Sequence, residues 1–544
     1  MKALLLTLLV GCAAQTGPGP LRFANRFPAM IVDDRHDMKK PETRVFARSL
    51  YMLDVFFGRR VPAALELEPQ VYAQDVNALD DVPDSTWFTN RIGIRELTPE
   101  DIKSGGRETF AAPKGPWVVT GTKVGGASPG FVVRDAAGAK FVMKFDSNGA
   151  PDMQTGADVV VQKILWAIGF STPEDAIFTV HRNELSLGPT AKVEDTFGNK
   201  RRMVERDLDE VLAKVDHEPD GSYRVLVSRF LGGEPAGGYA QEGIREDDPN
   251  DRTAHEDRRT LRAQKVFFAW LASTDVKEDN GLDMWIAEAG KHYLVHYLVD
   301  FGLSLGVYGW DQTDPADGFA YSVDLTSAAY SLGTLGWWTR PWEGADGEVL
   351  RGVGRFESAH YDPLAWRDRY PYRPFMRVDA ADGFWAAKII MRFTEPQLRA
   401  AVEEGHYKDP RAVDYLVRVL IERQRITALT YFSQLSPLDN FKVTNDATLC
   451  FDDLQRVYFS HVPATQYRAT FYDYGGRKLN EAATSSNDPH ACVTAPLGAD
   501  HAEYTIVELS AIRDGTALPP VRVHLAHDPS THDLRVIGIR RSQP

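Results

Sequence analysis

Residues 270–306 read WLASTDVKEDNGLDMWIAEAGKHYLVHYLVDFGLSLG, and the reading of the whole chain turns on them. Asp275, Lys277 and Asn280 make a D-x-K-x-x-N run. Asp300, Phe301 and Gly302 make a D-F-G directly after an apolar run. Between them, Met284–Ala287 and His292–Val299 alternate in the manner of strands around the turn residues Ala289 and Gly290, which predicts one hairpin. A hairpin with an acidic motif at each end brings both sets of oxygen ligands toward one site. D-F-G alone recurs by chance; the run, the hairpin and the D-F-G in this order are a far more specific signal. The plain alternative is a core hairpin flanked by two polar loops.

Working outward toward the N-terminus, His255–Ala272 reads as a helix, charged at first and apolar at its end, that delivers the chain to Asp275. Further upstream lie the Gly-rich stretch GTKVGGASPG (residues 121–130) and two short strands, Phe131–Arg134 and Phe141–Phe145. Alternation along the second strand puts Phe141, Met143 and Phe145 on one face and Lys144 on the other. A helix follows, with Thr155 as its N-cap, Asp158 three residues later and Gly169 as its stop. Tyr223–Phe230 reads as another strand, Arg201–Val215 as a helix, and the Gly- and acid-rich Leu231–Asp251 as a surface loop.

This order resembles the protein-kinase-like superfamily from about Pro116 to Leu435. The resemblance implies an α+β, two-lobed domain that binds ATP with Mg²⁺ or Mn²⁺. Gly125, Gly126 and Ser128 would lie in the loop over the phosphates. Lys144 would contact the phosphates, and Asp158 would pair with it where the family carries the longer Glu. Asp275 would orient or deprotonate the attacking hydroxyl, with Lys277 beside it. Asn280 and Asp300 would hold the metal through hard oxygens. The loop departs from G-x-G-x-x-G, Ser273-Thr274-Asp275 stands in place of H-R-D, and no A-P-E follows the D-F-G. These departures look closer to the atypical HipA-like and CotH-like branches.

The chain has 544 residues, 43% hydrophobic and 25% charged, and a net charge of −14. That balance, with no clustered Lys/Arg stripe, argues against a nucleic-acid partner. No apolar run after the N-terminus is long enough for a transmembrane helix. At the N-terminus, Lys2 precedes the apolar run Ala3–Val10 and then Gly11-Cys12. Leu9–Cys12 resembles the bacterial lipobox. It implies a signal peptide over residues 1–11, lipidation of Cys12, a tether over 12–27 and a place in the cell envelope, the outer membrane ahead of the inner. The membrane partner is then reached through the lipid. Cys450 and Cys492 fall in one C-terminal segment, and an exported chain sits where disulfides persist, so they are expected to pair. No zinc-ligand spacing occurs, and the 14 histidines are scattered.

Residues 28–115 read as an N-terminal extension. Within it Glu42–Phe57 is spaced as a helix, and Trp87-Phe88 reads as an anchor onto the next domain or a binding edge. Residues 305–375 are aromatic and Gly-rich. Around Trp337-Trp338 and Trp342 they read as the core of an insertion ahead of a sugar- or peptide-stacking surface. After residues 116–436, Pro437–Asn440 reads as a linker. Residues 437–544 then carry short alternating runs (Arg456–Ser460, Tyr467–Tyr474, Cys492–Ala495, Glu503–Leu509, Val521–Leu525, Leu534–Arg540), the pattern of a small antiparallel β-sandwich. Three functions compete: an exported phosphotransferase with a protein or glycan acceptor in the envelope; a catalytically inactive kinase-fold binding or scaffold lipoprotein; and a glycan-acting enzyme pairing Asp275 with Asp279 or Asp283 across about 5–9 Å.

Overall fold

The computed structural model describes residues 19, 21–60, 65, 70–106, 113–123, 128–194, 199–308, 316–343, 350–444, 448–494 and 504–542. It is a mixed α+β chain with several sheets. Two compact units divide it: residues 30–76 with 81–431, and residues 1–29 with 77–80 and 432–544.

The first unit opens with α1 (Arg48–Leu53) and α2 (Pro99–Ser104). Helix is confined to a shorter span than Glu42–Phe57, and the chain leaves α1 through a π turn, Asp54–Gly58. A sheet follows, built from β1 (Trp117–Thr122), β2 (Gly130–Arg134), β3 (Lys140–Lys144), β4 (Asp175–His181), β5 (Leu185–Glu194), β6 (Lys200–Arg202) and β7 (Ser222–Arg229). Its order is β4-β7-β3-β2-β1-β5-β6. The alternation of β3 is realised: Phe141 and Met143 join Phe131, Val225 and Val227 in one buried cluster, while Lys144 is on the other face. The span Arg201–Val215 splits into β6 and the helix α4 (Glu205–Leu212), because Arg201 and Arg202 pair with β5 before the helix begins.

Helix α3 (Met153–Ile168) packs nearly all of its side chains out of solvent. Its start differs from the sequence expectation. Asp152, with φ of +69°, holds the N-cap position, and Thr155 lies inside the helix, where its N–H and hydroxyl donate to Asp146 at 2.9 and 2.6 Å. A buried carboxylate ahead of the helix has taken over the cap. Gly169 ends α3 at φ of +146°, and a Cβ there would meet the Phe88 ring at 2.4 Å, so no other residue fits. Trp87 and Phe88 are both buried, Trp87 stacked on His296 with ring centroids 3.6 Å apart; the anchor reading is the right one.

The segment 231–251 is largely irregular and partly exposed, as a surface loop is, but part of it goes inside. It forms β8 (Glu234–Pro235), and Gln241, Asp248 and Asp251 are buried. Asp251 is held by His255 and Arg258 at 2.8 and 2.7 Å, so charge pairing lets an acid-rich stretch go inside. His255 and His296 are buried as well. The expected helix over His255–Ala272 breaks into a 3-10 turn, α5 (Arg259–Arg262) and α6 (Gln264–Leu271).

Next come β9 (Gly281–Glu288) and β10 (Lys291–Leu298), paired in register from Gly281↔Leu298 to Lys291↔Glu288. Ala289 and Gly290 turn the hairpin with φ of +50° and +78°, as a two-residue type I′ turn requires. Helix α7 (Leu325–Gly333) has no buried residue, and Trp337 is 91% exposed, so the packed-core reading of residues 305–375 fails there, while Val353, Phe356, Tyr361 and Trp366 are buried as it expects. Helices α8 (Arg373–Met376), α9 (Ala380–Ile390), α10 (Glu395–Glu403) and α11 (Ala412–Phe432) complete the unit's helical part. Trp270 of α6 donates its indole N–H to the Leu420 carbonyl at 2.9 Å. Arg423 caps the C-terminal end of α6 by donating to the carbonyls of Ala269 and Trp270, where the helix dipole favours a cation.

In the second unit, β11 (Leu438–Val443), β12 (Thr448–Asp453) and β15 (His490–Thr494) make one sheet. Strands β13 (Thr465–Asp473), β14 (Lys478–Ser486), β16 (Thr505–Arg513), β17 (Thr516–Ala517), β18 (Val521–His527) and β19 (Leu534–Arg541) make another. Leu449, Phe451 and Val493 of the first share an apolar cluster with Tyr467, Phe471, Leu509 and Val523 of the second. The linker expected at Pro437–Asn440 is largely strand, and Arg456–Ser460 falls on a helix, α12 (Leu454–Tyr458), capped by the Asp453 carboxylate. Cys450 and Cys492 face each other across β12 and β15 and form the expected disulfide. Phe23, in the stretch read as a tether, stacks edge-on against His524 at 4.9 Å. Cys12 lies outside the described residues.

Candidate functional site

Lys144 ends β3 on the face away from the aromatic cluster, and its ammonium meets two carboxylates. Nζ donates to Asp158 Oδ2 at 2.8 Å and to Asp300 Oδ1 at 3.0 Å. The Asp158 side chain is 3% exposed, that of Asp300 41%, so Asp158 is the interior partner and Asp300 faces the opening. Asp158 also accepts the Phe301 N–H at 2.9 Å through Oδ1. One helix carboxylate therefore holds the lysine and the backbone of the D-F-G together. Asp300 itself has φ of +66°, a left-handed conformation that Asp tolerates better than most residues.

The second half of the site hangs from the end of α6. Ala272 turns the chain with φ of +47°, and Ser273 N–H returns to the Phe268 carbonyl at 2.8 Å. Backbone bonds then join this loop to the one after β10: Thr274 N–H to Leu303 O at 3.2 Å and Leu305 N–H to Leu271 O at 2.9 Å. Asp275 accepts from Lys277 Nζ at 2.6 Å. Asn280 Nδ2 donates to the Asp275 carbonyl at 2.6 Å, which leaves Oδ1 as its acceptor atom. Val299 N–H donates to the Asn280 carbonyl at 3.0 Å, so Asn280 lies beside Asp300 across the base of the hairpin. Among the described residues, no cluster of three or more His, Cys, Asp or Glu side chains is arranged to hold a metal ion.

Ser128 donates its hydroxyl to Gln154 of α3. Gly125 and Gly126 lie outside the described residues. Two groups the sequence reading missed belong to the site. Lys123 reaches back to the Ser128 carbonyl at 3.5 Å, and its charge is felt by Asp300. It is the one lysine of GTKVGGASPG, and that was the available signal. Asp175, at the start of β4, is buried near Lys144 and Asp158. Nothing in its local sequence marks it, since only the pairing of β4 with β7 and of β7 with β3 carries it there.

Electrostatics follow from this crowding of charge. Burial works to lower the Lys144 pKa, but Asp158 and Asp300 outweigh it and hold it well above its usual value. The Lys144 ammonium in turn keeps Asp300 well below the usual carboxylate range. Burial, with Asp158 beside it, pushes Asp175 up to about 7. Burial lowers Lys123, opposed by Asp300. Lys277 is raised, since the Asp275 carboxylate overcomes its burial, while burial raises Asp279.

The glycan pair loses one candidate. Asp283 is fully buried and bonded to His296 Nδ1 at 2.7 Å and Arg245 at 2.9 Å, so it faces no substrate. Asp279 is 4.0 Å from Lys277, the same cation that engages Asp275.

No protein-family model matches the chain. No curated protein matches it in sequence. Among solved structures, the crystal structure of a Golgi casein kinase is similar at 9% identity and a TM-score of 0.29, over 62% of this chain and 76% of that one. A likeness that distant carries no argument about function.

Proposed function

We propose that residues 116–436 form a two-lobed, kinase-like domain and that the protein is a lipid-anchored phosphotransferase of the bacterial cell envelope. The observation that carries this reading is Lys144 bound at once to Asp158 and Asp300. The β9–β10 hairpin supports it, since its base joins Asn280 to Val299, next to Asp300. Lys144 and Lys123 would meet the phosphates of a nucleoside triphosphate. Asn280 Oδ1 and Asp300 offer hard oxygens, and Mg²⁺ or Mn²⁺ bound with phosphates takes only one or two such protein ligands. When bound, the metal neutralises phosphate charge. Asp275 would receive the proton of the acceptor hydroxyl, with Lys277 Nζ bonded to its carboxylate at 2.6 Å. The sheets of residues 437–544 would act as a β-sandwich accessory domain.

Calorimetric titration of the full chain with ATP, ADP or GTP, with and without Mg²⁺ or Mn²⁺, tests this. Metal-dependent binding is expected in the parent and lost in Asp300→Ala. Asp275→Ala should keep binding and slow transfer by about 10²–10⁴-fold. Unchanged binding in Asp300→Ala refutes the site. The second reading is a binding protein without turnover. The observation favouring it is that Lys277 already engages the Asp275 carboxylate at 2.6 Å. Nucleotide binding with no transfer to any acceptor would support it. Lipid anchoring at Cys12 is tested by Cys12→Ser, which should leave the exported protein soluble; retention on membranes after a high-salt wash refutes it.

A further inference from the structure

We infer that the cavity on the Thr274 side of the Asp275 loop is an acceptor site for a neutral, hydroxyl-bearing saccharide; this rests on the kinase-like reading of Asp275. The cavity holds about 300 Å³ and is lined by Thr274, the residue before Asp275, and by Asp317, Glu357, Tyr361, Asp362 and Trp366. It is tied to the catalytic loop by backbone: Arg369 N–H donates to the Thr274 carbonyl at 2.9 Å. The same arginine clamps Asp317 with two hydrogen bonds of 3.0 and 2.7 Å.

Charge selects against ionic ligands. The lining carboxylates of Asp317, Glu357 and Asp362 share the wall with the guanidinium groups of Arg355 and Arg423, Arg369 neutralises Asp317 from outside it, and the chain as a whole carries −14, which repels a polyanion. Arg423 is spent on carbonyls and covers the Tyr361 ring at 3.8 Å. What the wall then offers is carboxylate oxygens that accept from O–H groups, and aromatic side chains against which a C–H face packs. Trp366 adds a buried indole N–H with no hydrogen-bond partner among the described residues, a donor that a ligand oxygen would satisfy. Acceptors, a spare donor and aromatic surface in one small, charge-balanced cavity match a sugar ring. In the transfer, the sugar hydroxyl oxygen bonds to the terminal phosphorus of a nucleoside triphosphate. The bond from that phosphorus to the bridging oxygen breaks, its electron pair leaves with the nucleoside diphosphate, and the hydroxyl proton passes to Asp275.

The test is saturation-transfer NMR on the full chain, without nucleotide, using glucose, N-acetylglucosamine, maltose, cellobiose and chitobiose as probes. A parallel titration with Mg²⁺–ATP is read separately. At least one sugar should bind. Glu357→Gln and Trp366→Phe should each weaken that binding about fivefold or more, the loss of one hydrogen bond, with Mg²⁺–ATP affinity and far-UV circular dichroism unchanged. Absence of binding across the five sugars, or binding indifferent to both substitutions, overturns the assignment while leaving the nucleotide site standing. Sugar binding without Mg²⁺–ATP binding overturns the kinase-like reading and the acceptor role with it.

Discussion

Asp158→Asn isolates the residue on which the site's construction depends. Its two oxygens are assigned to different donors, Oδ1 to the Phe301 N–H at 2.9 Å and Oδ2 to Lys144 Nζ at 2.8 Å. Asparagine keeps the shape but has one acceptor. Whichever way the amide turns, an NH₂ faces either a backbone N–H or an ammonium. Removing one partner of a buried pair typically costs about 3–5 kcal/mol. Here Asp300 still lies 3.0 Å from Lys144 Nζ and neutralises part of the orphaned charge, so the loss should be nearer that of a charge-assisted hydrogen bond, about 2–3 kcal/mol. Urea unfolding of the full chain, followed by tryptophan fluorescence, should show the transition of the unit containing residues 81–431 moving to lower urea by that amount. The Lys144→Met and Asp158→Asn double-mutant cycle should give a coupling of about 1–3 kcal/mol. A loss below about 0.5 kcal/mol, the ordinary scatter of neutral surface changes, would mean that Asp158 is not the counter-ion the geometry makes it.

Cys450→Ser with Cys492→Ser should lower the stability of the unit containing residues 432–544 by about 4 kcal/mol in the chain-entropy account, for a sequence separation of 42; equal denaturation midpoints of the oxidised and doubly substituted proteins would refute it. Ala289→Asn should stabilise by roughly 0.5–1 kcal/mol, since Ala pays for φ of +50° in a type I′ turn that favours Asn-Gly; a fall in melting temperature would count against the turn. His524 is buried, which lowers its pKa to about 4 from 6.5, so the unfolded chain binds the extra proton first: stability is complete above pH 6.5 and lost as pH falls toward 4, by about 3 kcal/mol. His524→Gln should flatten that part of the pH profile, and an unchanged slope would refute the assignment.

Local pattern carried the strands and the hairpin. Alternation along Phe141–Phe145 and the Ala289-Gly290 turn depend on nearest neighbours, and both are in the structure as the sequence implies. Helix ends were harder to read. Thr155 has the chemistry of an N-cap, yet Asp146, nine positions earlier, satisfies it inside the helix. In Leu231–Asp251 the loop was legible but the burial of Asp251 was not, because its acid is visible in sequence and its pairing with His255, Arg258 and the Arg245 N–H is not. Composition gives a charge, but only the fold says whether it is paired.

The same distinction explains the site. That Asn280 lies beside Asp300 was legible because one hairpin joins them. Asp175 and the arginine clamp on Asp317 were not, because each is brought in by contacts between segments far apart in the chain. Asp158 stands between these cases. Asp has the shorter of the two acidic side chains, yet it reaches Lys144 Nζ at 2.8 Å. Gly302 lies beside it, where an added Cβ would make ordinary van der Waals contact, 3.5 Å from the Gln154 side chain and 3.9 Å from Asp158 Oδ2. From α3 that carboxylate holds Lys144 and accepts the Phe301 N–H together. One carboxylate thus ties the lysine of β3 to the loop that begins at Asp300, so its loss should loosen both.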